Sequence, residues 1–227
     1  MANNFWRRFF RHRAGNISLI FLITAAIFTF AAPYLPLASP TDTNMSAIRQ
    51  APQSAHLLGT DDLGRDILSR LLYGGQVSLL VGLSSVFIAT TAGILFGLLS
   101  GYAGALIDTI LMRIIDGLLS IPTLVLVVVV QSVSSPGLLS VVLVIAATTW
   151  MQTARIVRTE FLSVKQRPFV KAALACGASD FKIVFRHILP NCMASVVVLA
   201  TINVGHAIVT ESALSFLGMG IPPHQPS

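Results

Sequence analysis

The densest set of potential ligands in this 227-residue chain is acidic: Asp61, Asp62 and Asp66 fall within six positions. Carboxylates so close can hold a cation, but Gly59 and Gly64 flank them, and Thr60 or Asp62 can cap a helix running to Tyr73. First-turn acids satisfy free backbone N–H groups and the positive end of the helix dipole. Arg65 and Arg70 lie within pairing distance in sequence, so capping and pairing outweigh a cation site. The five histidines, at 12, 56, 187, 206 and 224, stand at no ligand spacing, and Cys176 and Cys192 form no C-x-x-C pair. Lys165, Lys171 and Lys182 follow Val, Val and Phe, so the chain has no glycine-lysine loop to cradle nucleotide phosphates. Neither G-x-S-x-G nor H-E-x-x-H occurs. We expect no catalytic residues, no metal site and no cofactor.

The elements that would carry any other activity are membrane spans. Hydrophobic residues make up 54% of the chain and charged residues only 11%, against roughly a quarter charged in soluble domains. Runs long enough to cross about 30 Å of hydrocarbon read as five helices: 17–35, 77–99, 110–131, 134–154 and 192–209. Only Arg113 and Asp116 carry charge inside them. Twelve of the fifteen Lys and Arg fall in the leader, in the segment after the fourth run, or at Arg113. Short basic segments stay cytoplasmic, which puts the N-terminus inside. The chain thus reads as all-α and polytopic, with a basic cytoplasmic leader (1–16), then a first span and extracytoplasmic loop (17–76), then a membrane domain (77–227).

Polar and small residues within the spans suggest how these helices meet. Gly93, Gly97 and Gly101 recur every four residues, with Ala89 extending the row, and such a stripe lets another helix approach closely. Pro122 removes a backbone donor and should bend the third span. Arg113 and Asp116, three apart, can neutralise each other as a structural ion pair. Asn203, His206 and Thr210 share one face of the fifth span, which should line a translocation path or contact another helix.

The basic cytoplasmic loop, 155–191, is the most informative segment. Phe169 to Cys176 reads as a short helix that Gly177 ends, and Ser179 or Asp180 caps a second helix running to Pro190. Ala172 and Ala173 offer a shallow face to a partner. A DNA-reading helix-turn-helix would look similar, but both ends of this loop are tethered by spans. An ion-coupled secondary transporter would show acidic or broken helices in both halves, and Asp116 and Glu211 have no internal counterparts.

Ala172, Ala173, Gly177, Leu189 and Pro190 reproduce most of the E-A-A-x3-G-x9-I-x-L-P signature of ABC importer permeases, with Lys171 at the Glu and His187 at the Ile. The stretches 56–70, Met112 to Asp116 with Ile121-Pro122, 186–191 and 213–220 resemble the C-type permease of dipeptide, oligopeptide and nickel importers. This resemblance implies a bacterial plasma-membrane subunit that passes a small peptide, or in the same family a nickel chelate or glutathione. Its implied partners are a second permease, two ATP-binding subunits and an extracytoplasmic solute-binding protein. It also implies that Phe169, Lys171, Ala172, Ala173, Gly177, Ala178, Ser179, Asp180 and Pro190 belong to an ATPase-coupling loop. The family pattern carries six spans, so a sixth is expected beyond Ser227 and the chain reads as truncated.

Overall fold

The computed structural model describes residues 11–220. Among them the regular structure is helical, apart from two isolated bridges between Gln53 and His56 and between Thr60 and Asp66. The helices are α1 (Arg13–Ala31), α2 (Ile67–Tyr102), α3 (Ala105–Leu119), α4 (Thr123–Ser132), α5 (Leu138–Lys165) and α6 (Pro168–Ala175). A final rod starts as α7 (Asp180–Ile183), passes through a π turn (Val184–Ile188) and continues as α8 (Leu189–Phe216). Four segments are long and apolar enough to cross a membrane: Arg13–Tyr34, Ile67–Tyr102, Leu138–Lys165 and Asp180–Phe216. The α3–α4 pair makes a fifth if counted as one span. The basic leader expected at 1–16 and the chain end at 221–227 lie largely or wholly outside the described residues.

Two of the expected spans take a different form. The third, expected over 110–131, is two helices set at 89°. The break follows from Pro122, which caps α4 with φ −54° and ψ 126°, because a proline also pushes the residue before it out of helical geometry. The fifth begins at Asp180 rather than Cys192, and Pro190 does not stop it. Pro190 has no N–H for the carbonyl one turn back, so the rod takes an extra residue. The Leu189 N–H reaches back to the Val184 carbonyl, and the helix resumes with Pro190 in its first turn. At 36 residues, α2 is about 54 Å long, well beyond the hydrocarbon thickness, and extends past the span expected at 77–99.

The chain forms two compact units, one through Leu79 and one from Leu80 to Pro222. In the first, the end of α1 is fastened to the start of α2. Gln76 Nε2 donates to the Thr29 carbonyl at 2.8 Å, and Gly75 lies close enough that a Cβ there would sit 3.0 Å from Thr29 Oγ1. The intervening loop is ordered around buried Thr60, whose hydroxyl donates to the Ala47 carbonyl and accepts from the Gln50 amide at 2.9 Å. The cap of α2 is Asp66, not Thr60 or Asp62: its carboxylate accepts the Ser69 amide at 2.8 Å, and the helix starts at Ile67.

In the second unit, α5 is the central helix. Val141, Ile145, Thr148, Ala154, Val157, Phe161 and Val164 are all buried along it, the three- and four-residue spacing of a helix that buries one face. The glycine row of α2 packs on that helix. A Cβ at Gly93 would lie 2.5 Å from Thr153 Cβ, one at Gly97 2.6 Å from the Ala154 carbonyl oxygen, and one at Gly101 2.5 Å from Phe161 Cδ1.

Candidate functional site

The loop between α5 and the last rod is shorter than the expected 155–191, because α5 stays helical to Lys165. What remains is α6, a tight turn and the start of α7. Pro168 opens α6, its fixed φ suiting a first helical position. Gly177 closes it with φ +79°. The Gly177 amide donates to the Leu174 carbonyl at 2.9 Å and the Ala178 amide to the Ala173 carbonyl at 3.1 Å. These paired bonds satisfy carbonyls that a helix end leaves open, and they require the left-handed residue supplied by Gly177. Ser179 follows in extended geometry, without a side-chain cap bond, and its carbonyl accepts the Ile183 amide at 3.0 Å.

This hairpin is seated on the membrane helices. Val170 of α6 and Ile183 of α7 are buried in one cluster with Val157, Phe161 and Val164 of α5, Leu98 of α2, and Ile188, Cys192 and Val196. Burying a side chain of this size contributes about 1.5–3 kcal/mol, so the hairpin is held by packing and not by its backbone bonds alone. Asp180 accepts a hydrogen bond from the Tyr102 hydroxyl at 3.1 Å, which ties the hairpin to the end of α2. The outward side of α6 carries Phe169, Lys171, Ala172 and Leu174, all exposed, whereas Ala173 and Ala178 are half-buried. Pro190, expected to end the hairpin, sits instead inside the last rod, beyond the π turn.

Two ion pairs pin α3 to α5. Asp108 receives both Nε and Nη2 of Arg158, at 2.8 and 2.5 Å, and also the Ser100 hydroxyl of α2. Asp116 pairs with Arg155 and not with Arg113 as its sequence position suggests. An arginine three residues before an aspartate is the less favourable order on a helix, and Arg155 reaches the same carboxylate from the facing helix.

The polar trio of the last span separates into different surroundings. Asn203 is buried, and its Nδ2 has no hydrogen-bond partner among the described residues. His206 is exposed, and half-buried Thr210 donates its hydroxyl to the His206 carbonyl at 2.8 Å. The buried line of this helix runs Asn203, Ala207, Glu211, Leu214. Glu211 is 1% exposed and accepts the Ser215 hydroxyl at 2.9 Å. The sequence marked Glu211 only as an acid beside a span; its four-residue spacing from Ala207 and eight from Asn203 was the available sign that it faces inward.

Against known proteins, residues 93–227 match the family described as binding-protein-dependent transport system inner membrane component. Residues 1–52 match the N-terminal TM domain of oligopeptide transport permease C. The chain is 38% identical to the dipeptide transport system permease protein DppC of Haemophilus influenzae, over 98% of this chain and 77% of that protein. It is 40% identical to the oligopeptide transport system permease protein OppC of the same organism, over 94% and 70%. It is 38% identical to the glutathione transport system permease protein GsiD of Pectobacterium atrosepticum, over 98% and 74%. With apolar helices crossing repeatedly and a family match over more than half its length, this chain belongs to the inner-membrane components of bacterial binding-protein-dependent transport systems.

Proposed function

We propose that the chain is the C-type permease subunit of an ATP-driven importer of short peptides. Its relatives carry dipeptide, oligopeptide and glutathione transport in their names, and each of these solutes is a small amide-linked molecule with free carboxylates. In this reading a second permease completes the pathway, two ATP-binding subunits supply the energy, and an extracytoplasmic binding protein delivers the cargo. The hairpin formed by α6 and the start of α7 receives the ATP-binding subunits. The observation that carries this role is the seating of Val170 and Ile183 in a cluster shared with α5, α2 and the last rod. A push on the exposed side of α6 is thereby delivered to three membrane helices at once, through packed side chains that resist compression. His206 and Thr210 are the candidates for facing the path, with Asn203 supporting them from inside the bundle.

The test is uptake of a labelled dipeptide by vesicles containing the assembled transporter. Uptake should require both ATP and the binding protein. Ala172→Arg, at an exposed position of α6, should leave the chain folded and inserted yet reduce uptake at least tenfold, about 1.4 kcal/mol of lost docking. Uptake that proceeds without ATP, or an Ala172→Arg variant with normal uptake, refutes the proposal.

A further inference from the structure

The first unit contains a cation that its surroundings do not fully use. Asp61 accepts the Leu63 and Arg65 amides, each at 2.9 Å, on one oxygen and Arg65 Nε at 2.7 Å on the other. Its bonding is largely satisfied by these three. Arg70 lies farther away, with its Nε 3.7 Å from the same carboxylate, beyond hydrogen-bond distance. Nη1 of Arg70 makes one long bond, 3.4 Å to the Pro40 carbonyl. Two guanidinium groups thus share one carboxylate, and among the described residues the second keeps most of its five N–H donors uncommitted.

The placement of Arg70 is costly, which argues that it does more than hold the loop. It stands in the first turn of α2, where the helix dipole disfavours positive charge, and its side chain is only 25% exposed. It lines a cleft of about 400 Å3 together with Asp61, Ile67, Leu71, Gly74 and Ser78. The cleft combines apolar walls with one underused cation, in the size range of small-molecule sites. A planar guanidinium recognises a carboxylate through two parallel bonds, and the apolar wall suits a hydrocarbon side chain beside it.

We propose that Arg70 is a carboxylate-binding residue and that this cleft takes the C-terminal end of a short peptide. By the distribution of positive charge the cleft lies at the outer end of α2, where cargo would arrive. The identity of the ligand rests on the peptide-importer reading above; the carboxylate chemistry rests on the geometry alone.

The experiment titrates the purified full chain in detergent with N-acetylphenylalanine and with N-acetylphenylalaninamide, read by saturation-transfer NMR. The two probes differ only in the carboxylate. The wild-type chain should bind the carboxylate at least tenfold more tightly than the amide. Arg70→Gln should abolish that preference, and Arg70→Lys should retain part of it. Equal binding of the two probes by the wild-type chain overturns the proposal, as does an undiminished preference in Arg70→Gln. If Arg70→Gln fails to fold, the wild-type comparison and Arg70→Lys decide. Peptide uptake by the assembled transporter that falls in Arg70→Gln, without any carboxylate preference in the purified chain, would assign Arg70 to the binding-protein contact and also overturn it. Failure of the importer reading shows separately, as absence of ATP-dependent uptake by the wild-type assembly.

Discussion

Replacing Gly97 with alanine adds a single methyl group where α2 touches α5. That carbon would lie 2.6 Å from the Ala154 carbonyl oxygen, 2.7 Å from Val157 Cβ and 2.9 Å from Val157 Cγ1. Ordinary carbon contacts are about 3.5–4.0 Å, so the two helices must part by close to an ångström. The nearest atom is backbone and cannot rotate away. Overpacking of this kind costs about 1–3 kcal/mol. Alanine also favours helix over glycine by about 1 kcal/mol, which partly masks the effect. Gly205→Ala on α8 provides the reference, because no atom lies within 4 Å of a Cβ built there. The propensity gain is common to both variants, so their difference isolates the contact: Gly97→Ala should be less stable than Gly205→Ala by about 1–3 kcal/mol. Unfolding of the purified chain in mixed micelles with rising SDS, followed by tryptophan fluorescence, measures it. A difference within about 0.5 kcal/mol, the scatter expected of independent sites, would refute close packing at the glycine row.

Three further outcomes follow from the same geometry. Gly177 adopts φ +79° with open space where a Cβ would be, so only backbone conformation limits substitution; Gly177→Asn should keep peptide uptake, whereas Gly177→Val, costing about 1–2 kcal/mol in this region, should lose most of it. The Arg158–Asp108 pair is bidentate with side chains 31% and 18% exposed, while Arg155–Asp116 is half exposed. Asp108→Asn should therefore destabilise the chain by about 1.5–3 kcal/mol and Asp116→Asn by under about 1 kcal/mol in the same SDS titration. Burial opposes ionisation of Asp61, but the Arg65 and Leu63 amides and the Arg65 guanidinium outweigh it and hold its carboxyl below the ordinary value. Its stabilising contribution is thus present above about pH 4 and is lost as pH falls through the lower folded value. Acid-protease cleavage of the 36–66 loop should rise in that window, and Asp61→Asn should raise it above the window, where the wild-type carboxylate is ionised, and flatten the dependence.

Features with a single physical use could be read from residue types alone. A glycine every fourth position on an apolar helix serves close approach, and Gly93, Gly97 and Gly101 all meet α5. A glycine after a short amphipathic stretch ends a helix, and Gly177 does so with positive φ. Features with two possible outcomes depended on tertiary context. Proline can kink, break or be absorbed: Pro122 separates two helices at 89° while Pro190 is taken up by a π turn. Asp116 had a sequence neighbour of opposite charge in Arg113, but the partner that reaches it is thirty-nine residues away. Asp62 and Asp66 are equally good capping residues by type, and the Thr60 and Gln50 bonds that fix the loop select Asp66. Asn203 and His206 lie three apart, a spacing that spreads them about 60° around the helix, enough to bury one and expose the other.

In the function proposed above, the exposed side of α6 meets an ATP-binding subunit. A photoreactive amino acid placed at position 172 of the chain, within the assembled transporter in membranes, tests it in one step. An ultraviolet-induced adduct between the chain and the ATP-binding subunit is expected from position 172, and none from position 202, whose isoleucine is exposed on the membrane helix α8. Crosslinking of position 172 only to lipid or to the second permease, in an assembly that still transports peptide, would contradict it.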